Sequence, residues 1–415
     1  MSEWKSLSSI TSKIGSGSTP RGGNSVYSDS GISFIRSQNV LDMDFSTENL
    51  AFINDNQAEK LNNVIVEKND ILLNITGDSI ARCTVVPEEI LPARVNQHVS
   101  IIRCKNTEES KYVMYYLQYM KKYLLQISKV GGTRNALTKE AIGKLPIKIS
   151  DDCNKISKIL DNIDQKIHIN NQINQELEAM AKTLYDYWFV QFDFPDQNGK
   201  PYKSSGGKMV YHPELKREIP EGWGVEKLGD MAQFKNGINY EKTSSGSEKV
   251  KIINVRNISS STIFINQTDL DEIFLENDKS TNFIVNEGMI LITRSGIPGA
   301  TRLVSELEAK TVYSGFIITS EVNDLIYKNL IFYYLKNVEE VLKNQSAGTI
   351  MKNISQSVLT DMAVLLPPQN VLLKFNSIID NLLEQMKNVQ RQNQELTQLR
   401  DWLLPMLMNG QVKVE

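Results

Sequence analysis

The chain has 415 residues, 40% of them hydrophobic and 23% charged, which suits two or three folded domains and excludes a disordered chain. A formal charge of −3 excludes attraction to phosphate by net charge, so nucleic-acid binding must come from local clusters or from a more basic partner. The 3 cysteines lack a CxxC spacing, the 3 histidines (His98, His168, His212) form no metal motif, and no apolar run is long enough to cross a bilayer. The start, Met-Ser-Glu-Trp-Lys, lacks an export signal, so a cytoplasmic location is expected.

In chain order, residues 1–150 read as a mixed globule of short apolar β runs such as Ile71-Leu72-Leu73, broken by Gly, Ser and Asn loops, with one aromatic helix near 112–125. Residues 151–190 read as a long helix whose start is marked by Ser150, Asp151 and Asp152. Its seam steps by four and three through Ile156, Leu160, Ile163, Ile167, Asn170, Asn174, Leu177, Ala181 and Leu184, the spacing that keeps one stripe against a partner helix. Residues 191–219, rich in Gly, Ser and Pro, read as a surface linker. Residues 220–366 repeat the globule, with a helix near 330–342. Residues 367–415 repeat the helix and add a C-terminal tail; Pro367-Pro368 opens a seam of Phe375, Ile379, Leu382, Met386, Val389, Asn393, Leu396, Arg400 and Leu403.

This order reflects an internal duplication. Residues 66–77 (VEKNDILLNITG) align with 285–296 (VNEGMILITRSG), Tyr115-Tyr116-Leu117 with Tyr333-Tyr334-Leu335, Gly132-Thr133 with Gly348-Thr349, and Trp4 with Trp223. Asn174-Gln175-Glu176-Leu177 recurs unchanged as Asn393-Gln394-Glu395-Leu396, 219 residues later. Asn174 and Asn393 are the polar seam positions expected to fix helix register.

Several loops in each globule carry side chains of the types able to pair bidentately with nucleic-acid base edges. In the first globule they are Arg36, Gln38 and Asn39; Arg94, Asn96, Gln97 and His98; and Thr133, Arg134 and Asn135. Their counterparts in the second are Arg256 and Asn257, Arg294 and Ser295, Ser314, and Thr349 with Lys352 and Asn353. Catalytic signatures are missing. Methylation of an amino nitrogen calls for Asn/Asp-Pro-Pro-aromatic, yet the only Pro-Pro, at 367–368, follows Leu366, and no phosphate-cradling Gly-rich loop is present. One loose nuclease pattern, Asp196 with Glu214 and Lys216, falls largely in the linker.

On residues 15–20 (GSGSTP), Gly131-Gly132-Thr133 with Leu145-Pro146, Tyr187-Trp188-Phe189-Val190, residues 218–223 (EIPEGW) and Leu366-Pro367-Pro368-Gln369, in this order on a duplicated frame, the chain resembles the specificity subunit of type I restriction-modification systems. The resemblance implies an α/β (α+β) chain of two target recognition domains separated by two long antiparallel coiled-coil helices. Each domain would read one half of a bipartite double-stranded DNA site. It also implies partners: two modification (methyltransferase) subunits that methylate adenine N6, and a restriction (translocase/endonuclease) subunit. S-adenosylmethionine, ATP and Mg would act in those partners, with no cofactor or metal in this chain. The alternatives are a metal-dependent nuclease using Asp196, Glu214 and Lys216, and a coiled-coil protein scaffold. DNA binding specific for a split sequence separates the first reading from the scaffold; metal-dependent cleavage by the chain alone would select the nuclease.

Overall fold

The computed structural model describes residues 3–20, 26–129, 135–240, 246–345, 353–412 and 414. Two compact units make up the chain, one of Met1–Asn170 with Gln392–Glu415 and one of Asn171–Arg391. Each long helix, Cys153–Tyr185 and Gln369–Asn409, is therefore divided between the units, a boundary different from the one expected where globule meets helix. The reason is burial. In the first unit Ile156 and Leu160 join Leu404, Leu407 and Met408 in one core with the aromatic helix Ser110–Tyr119. In the second, Leu177, Ala181 and Tyr185 share a core with Phe375, Ile379, Leu382 and Met386. At roughly 1.5–3 kcal/mol for each large apolar side chain buried, these contacts outweigh the separation of helix from globule that periodicity alone suggests.

In the first unit the strands are β1 (Glu3–Ser6), β2 (Thr11–Ser16), β3 (Ile32–Ile35), β4 (Ala51–Ile53), β5 (Ile65–Val66), β6 (Ile71–Asn74), β7 (Cys83–Val85), β8 (Ala93–Val95), β9 (Val99–Cys104) and β10 (Pro146–Ile149). They form sheets in the order β2-β9-β6-β7 and β4-β3-β8-β5, with β1 paired to β10. Within β6 and β9 alternate residues face different cores. Ile71 and Leu73 pack toward the helices, whereas Leu72 packs toward the second sheet, which is why these strands read as unbroken apolar runs.

The strands of the second unit start with a hairpin, β11 (Met209–His212) and β12 (Arg217–Pro220), and then repeat the plan as β13 (Gly224–Lys227), β14 (Ala232–Asn236), β15 (Glu248–Ile253), β16 (Asp271–Leu275), β17 (Ile290–Thr293), β18 (Thr301–Leu303), β19 (Thr311–Tyr313), β20 (Ile317–Val322) and β21 (Ala363–Leu366). The order β14-β20-β17-β18 matches β2-β9-β6-β7, β16-β15-β19 matches β4-β3-β8, and β13 pairs β21 as β1 pairs β10.

The stretch read as a linker is folded. Phe192 meets the Trp223 ring edge-on with centroids 5.6 Å apart, and Phe194 stacks on Tyr202 at 4.7 Å. The hairpin β11–β12 follows directly. Gly, Ser and Pro dominate the composition there, but three aromatic side chains are enough to anchor it. The repeat register also differs at one point. Leu7 N donates to Leu145 O and Leu228 N to Met362 O, so the paired strands set Trp4 (opposite Lys148) against Val225 (opposite Leu365), two residues from the sequence-aligned Trp223.

One buried ion pair distinguishes the copies. Arg302 Nη1 lies 3.0 Å from Glu339 Oε2, Arg302 Nε donates to Ser261 O at 2.6 Å, and Glu339, 1% exposed, also accepts from Thr301 N at 3.1 Å. In the first unit the corresponding strand β7 carries Thr84, and Gln118 Nε2 donates to the Cys83 carbonyl at 3.1 Å. Burial pushes the Cys83 thiol up to about 12, so that site is uncharged. Glu339→Ala leaves the Arg302 guanidinium buried without its carboxylate, at a cost of about 3–5 kcal/mol. Hydrogen exchange should then accelerate in β17 and β18 and stay slow in β6 and β9; unchanged protection in β18 would contradict the assignment.

Candidate DNA interface

In each unit the loops at one end of the four-stranded sheet are drawn together by backbone. In the first, Gly17 N donates to Asn96 O, Asn96 N to Ile35 O, and Leu137 N to Ile75 O. In the second, Ile238 N donates to Tyr313 O, Ser314 N to Ile253 O, and Ile354 N to Arg294 O. Two glycines make the approach possible. A Cβ on Gly17 would lie 1.7 Å from Val95 O, and one on Gly237 would lie 2.3 Å from Ser314 O. The glycine-rich run at 15–20 is thus a crossing point of backbones, required at the same place in both copies.

Side chains continue these links in the first unit. The Thr19 hydroxyl donates to Gln97 Oε1, Gln97 Nε2 stands 3.1 Å from His98 Nε2, and His98 Nδ1 shares a 2.5 Å hydrogen bond with Thr76 Oγ1. Thr76 bridges to Ala136, next to the exposed Asn135. Gln97 and His98 from one loop and Asn135 from another therefore belong to one surface cluster. Gln38 is exposed on a neighbouring turn tied in by Asn74, whose Nδ2 donates to Ser37 O at 2.8 Å. Thr19 and Thr76 carried no sequence signal beyond their loops.

Several expected base-reading residues are held inside the fold. Asn39 is 0% exposed: its Oδ1 accepts from Arg36 N at 3.0 Å, and its Nδ2 donates to Ser46 O and Glu48 O. Asn257 does the same in the second copy, accepting from Asn254 N at 2.8 Å and donating to Asp269 O at 2.8 Å. Both are the third residue of a short helical turn, where an amide caps the turn's own start. Arg94 is buried on Ala58 O, Ala93 O and Asn62 Oδ1. Asn96 is buried with Oδ1 on His98 N, and Ser314 is buried beside β15. A type-and-spacing argument sees an amide beside a loop; it does not see that the loop needs that amide for itself.

Arg36 is half-buried, its Nη2 donating to Asn49 O at 2.6 Å and its guanidinium 5.5 Å from the Tyr27 ring centre. Arg256 is exposed but engages Asp269 Oδ2 at 2.9 Å and Asp271 Oδ1 at 2.7 Å, so DNA would have to compete with two carboxylates for it. In the second unit Arg294, half-buried with Nη1 on Gly315 O at 3.2 Å, stands with Ser295, the exposed Asn353 and the unforeseen Phe316, which is 62% exposed. Thr133, Arg134, Thr349 and Lys352 lie outside the described residues. The nuclease-like trio gains no support. Asp196 Oδ1 accepts from Asn198 N and Lys200 N within a turn, Glu214 and Lys216 are exposed in the β11–β12 turn, and no group of three metal-ligating side chains occurs among the described residues.

The residues of both expected seams lie on the two long helices. Ile156, Leu160, Ile163, Leu177, Phe375, Ile379, Leu382 and Met386 are buried; Ile167, Asn174, Leu184, Asn393, Leu396 and Leu403 are half-buried. Within the first unit the helices run antiparallel, because Asn170 Nδ2 donates to Asn393 Oδ1 at 2.9 Å while Asp164, one and a half turns earlier, meets Arg400 Nη1 at 2.8 Å. The Tyr115 hydroxyl donates to the same carboxylate at 2.5 Å. Burial raises the Asp164 pKa above the ordinary carboxylate range, opposed by these two partners.

Residues 1–179 and 220–398 match the family of the type I restriction modification DNA specificity domain. The chain is 28% identical over 336 residues to the type I restriction enzyme MjaIX specificity subunit of Methanocaldococcus jannaschii, covering 78% of this chain and 74% of that protein. It is 23% identical over 343 residues to the HindI specificity subunit of Haemophilus influenzae, covering 68% and 72%. The crystal structure of the S subunit of a type I restriction-modification system from M. genitalium superposes with a TM-score of 0.54 at 13% identity, covering 98% of this chain and 96% of that one, and so shares its fold.

The geometry separates supporting amides from exposed ones. Asn39→Ala or Asn257→Ala leaves turn amides and carbonyls unpaired and should lower stability by about 1–3 kcal/mol, seen as an earlier urea midpoint. Gln38→Ala should leave that midpoint within about 0.5 kcal/mol. Equal midpoints for all three variants would contradict the distinction.

Proposed function

This chain belongs to the type I restriction modification DNA specificity family, and we propose on that premise that its two target recognition domains each read one half of a split DNA sequence. The observation that carries the proposal is the duplicated loop cluster. Each unit offers its own polar side chains, the exposed Gln38, Gln97 and Asn135 in one and the half-buried Ser295 with the exposed Asn353 in the other, on backbone crossings built around Gly17 and Gly237. Amides and hydroxyls of this kind discriminate base edges by about 1–3 kcal/mol per good bidentate contact. Arg36, His98 and Arg294, half-buried beside them, are placed to support those contacts or to meet phosphate.

Chemistry lies with the partners in this proposal. Two modification subunits, holding S-adenosylmethionine, methylate adenine N6, and a restriction subunit uses ATP and Mg for translocation and cleavage. The chain itself transfers nothing, in keeping with the missing methylation motif and with a non-catalytic family. The paired helices provide the docking frame for the modification subunits, and the complex works in the cytoplasm; no helix among the described residues is long and apolar enough to cross a membrane.

The purified chain alone should transfer no methyl group to DNA, and adding the modification subunit should restore adenine methylation. On a randomised site library, Gln38→Ala with Asn135→Ala should relax one group of base pairs, by about 1–3 kcal/mol per lost contact, and leave the other group intact. Ser295→Ala with Asn353→Ala should do the converse. Weakening spread evenly over both groups in either double variant would mean phosphate contact instead, and would contradict one domain per half-site.

A further inference from the structure

The amide of the exposed Gln97 is held from both sides. The Thr19 hydroxyl donates to Gln97 Oε1, and Gln97 Nε2 lies 3.1 Å from His98 Nε2. An amide nitrogen can only donate, so His98 Nε2 is the acceptor and the ring proton sits on Nδ1, where it is donated to Thr76 Oγ1 at 2.5 Å. The ring is anchored through its own backbone as well, since His98 N donates to Asn96 Oδ1 at 3.0 Å and His98 O accepts from Ile75 N at 3.0 Å. The chain of contacts from Thr76 through His98 and Gln97 to Thr19 therefore sets which end of the amide is oxygen and which is nitrogen.

What that amide can still bind follows from its hydrogen-bonding capacity. A glutamine amide has two oxygen lone pairs and two N–H groups. Thr19 takes one lone pair and His98 takes one N–H, so one acceptor and one donor are left. Guanine shows two acceptors in the major groove, N7 and O6, and needs two donors. Cytosine shows a donor without an acceptor, and thymine an acceptor beside a methyl group. Adenine alone shows a donor, N6–H, next to an acceptor, N7. The second unit is built differently at this point. Matching β6 and β9 to β17 and β20 sets Phe316 at the place of His98 and Gly315 at the place of Gln97. A phenyl ring has no nitrogen to accept from an amide, and the exposed Asn239 fills the space beside Gly315, where an added Cβ would lie 2.1 Å from Asn239 Oδ1.

We propose, on the premise that each domain reads one half-site, that Gln97 reads an adenine in the half-site of the first domain, its Oε1 accepting from N6–H and its Nε2 donating to N7. Thr19, His98 and Thr76 are positioning residues that hold the amide in the sense this contact requires. Without them the amide can turn over and present donor to donor and acceptor to acceptor.

The test uses the full-length chain in complex with its modification subunits, on duplexes carrying the target found by methylation mapping. 7-Deazaadenine, which keeps the base pair and the N6 amino group but has C–H in place of N7, is placed at each adenine of the target in turn. At one adenine it should weaken binding at least about tenfold for the wild-type complex and less than about twofold for Gln97→Ala, which has already lost the contact. On the randomised library Gln97→Ala should admit other bases at that one position and leave the second half-site unchanged. Thr76→Val should relax the same position by about threefold or more, and Thr76→Ser should restore it, a rescue at a single base pair that a general structural role would not produce. Wild-type binding undiminished by 7-deazaadenine at every position, or loss of definition at a G·C pair in Gln97→Ala, would overturn the assignment and leave one domain per half-site standing. Wild-type base preference in Thr76→Val would overturn the positioning chain. Loss spread evenly over both half-sites in Gln97→Ala would contradict the premise, and the assignment with it.

Discussion

The antiparallel pairing of the two long helices is the contact on which the rest of the architecture depends. Each helix exposes an apolar stripe too long for its own globule to cover, and pairing lets the start of one helix and the end of the other complete the same core. Leu160 and Leu404 share one such core, and Leu177 and Phe375 share the other. A duplicated sequence invites mispairing, since both helices carry nearly the same seam. The polar contacts remove that degeneracy. Asn170 pairs with Asn393 and Asp164 with Arg400, whereas the repeat positions of those four residues are Val389, Asn174, Leu383 and Ala181. A shifted or exchanged pairing would bury Asp164 or Arg400 against apolar side chains, a penalty of several kcal/mol. The polar residues therefore contribute more to register than to stability, the role best attested for buried polar groups in helix pairs.

Much of this architecture was legible in the sequence, for physical reasons. Steps of four and three give a helix seam whatever surrounds it, so the residues from Ile156 to Leu184 and from Phe375 to Leu403 could be identified from spacing. The duplication was equally plain, because strands buried on both faces, such as Ile71-Leu72-Leu73 and Ile290-Leu291-Ile292, tolerate little besides large aliphatic side chains. What composition hid was the folded state of residues 191–219, where Phe192, Phe194 and Tyr202 anchor a segment that otherwise looks like linker. Alignment alone also paired Trp4 with Trp223, whereas strand register pairs Trp4 with Val225. A two-residue difference in the approach to β1 is invisible until the strands are matched.

For the candidate interface, the sequence indicated loops more clearly than residues. The candidate loops do come together, yet within them Asn39, Asn257, Arg94, Asn96 and Ser314 are consumed by the fold. Loops that cross through close backbone contacts, as at Gly17 and Gly237, leave amide and carbonyl groups needing partners, and the nearest short polar side chains supply them. Exposed residues on the same loops are left to face a ligand. Of the described cations in these clusters, Arg256 is held by two carboxylates and Arg36 by Asn49 O and the Tyr27 ring. With a net charge of −3, this chain supplies sequence discrimination more readily than general affinity for DNA, so a large share of the salt-dependent attraction is expected from partner subunits.

Base-resolved mapping of methylated adenines in DNA from cells with and without this gene tests the central claim most directly. The account predicts a motif that disappears with the gene and consists of two groups of defined bases separated by positions at which any base is accepted. A continuous motif, or a methylation pattern unchanged by loss of the gene, would contradict a chain in which two duplicated domains each read half of one target.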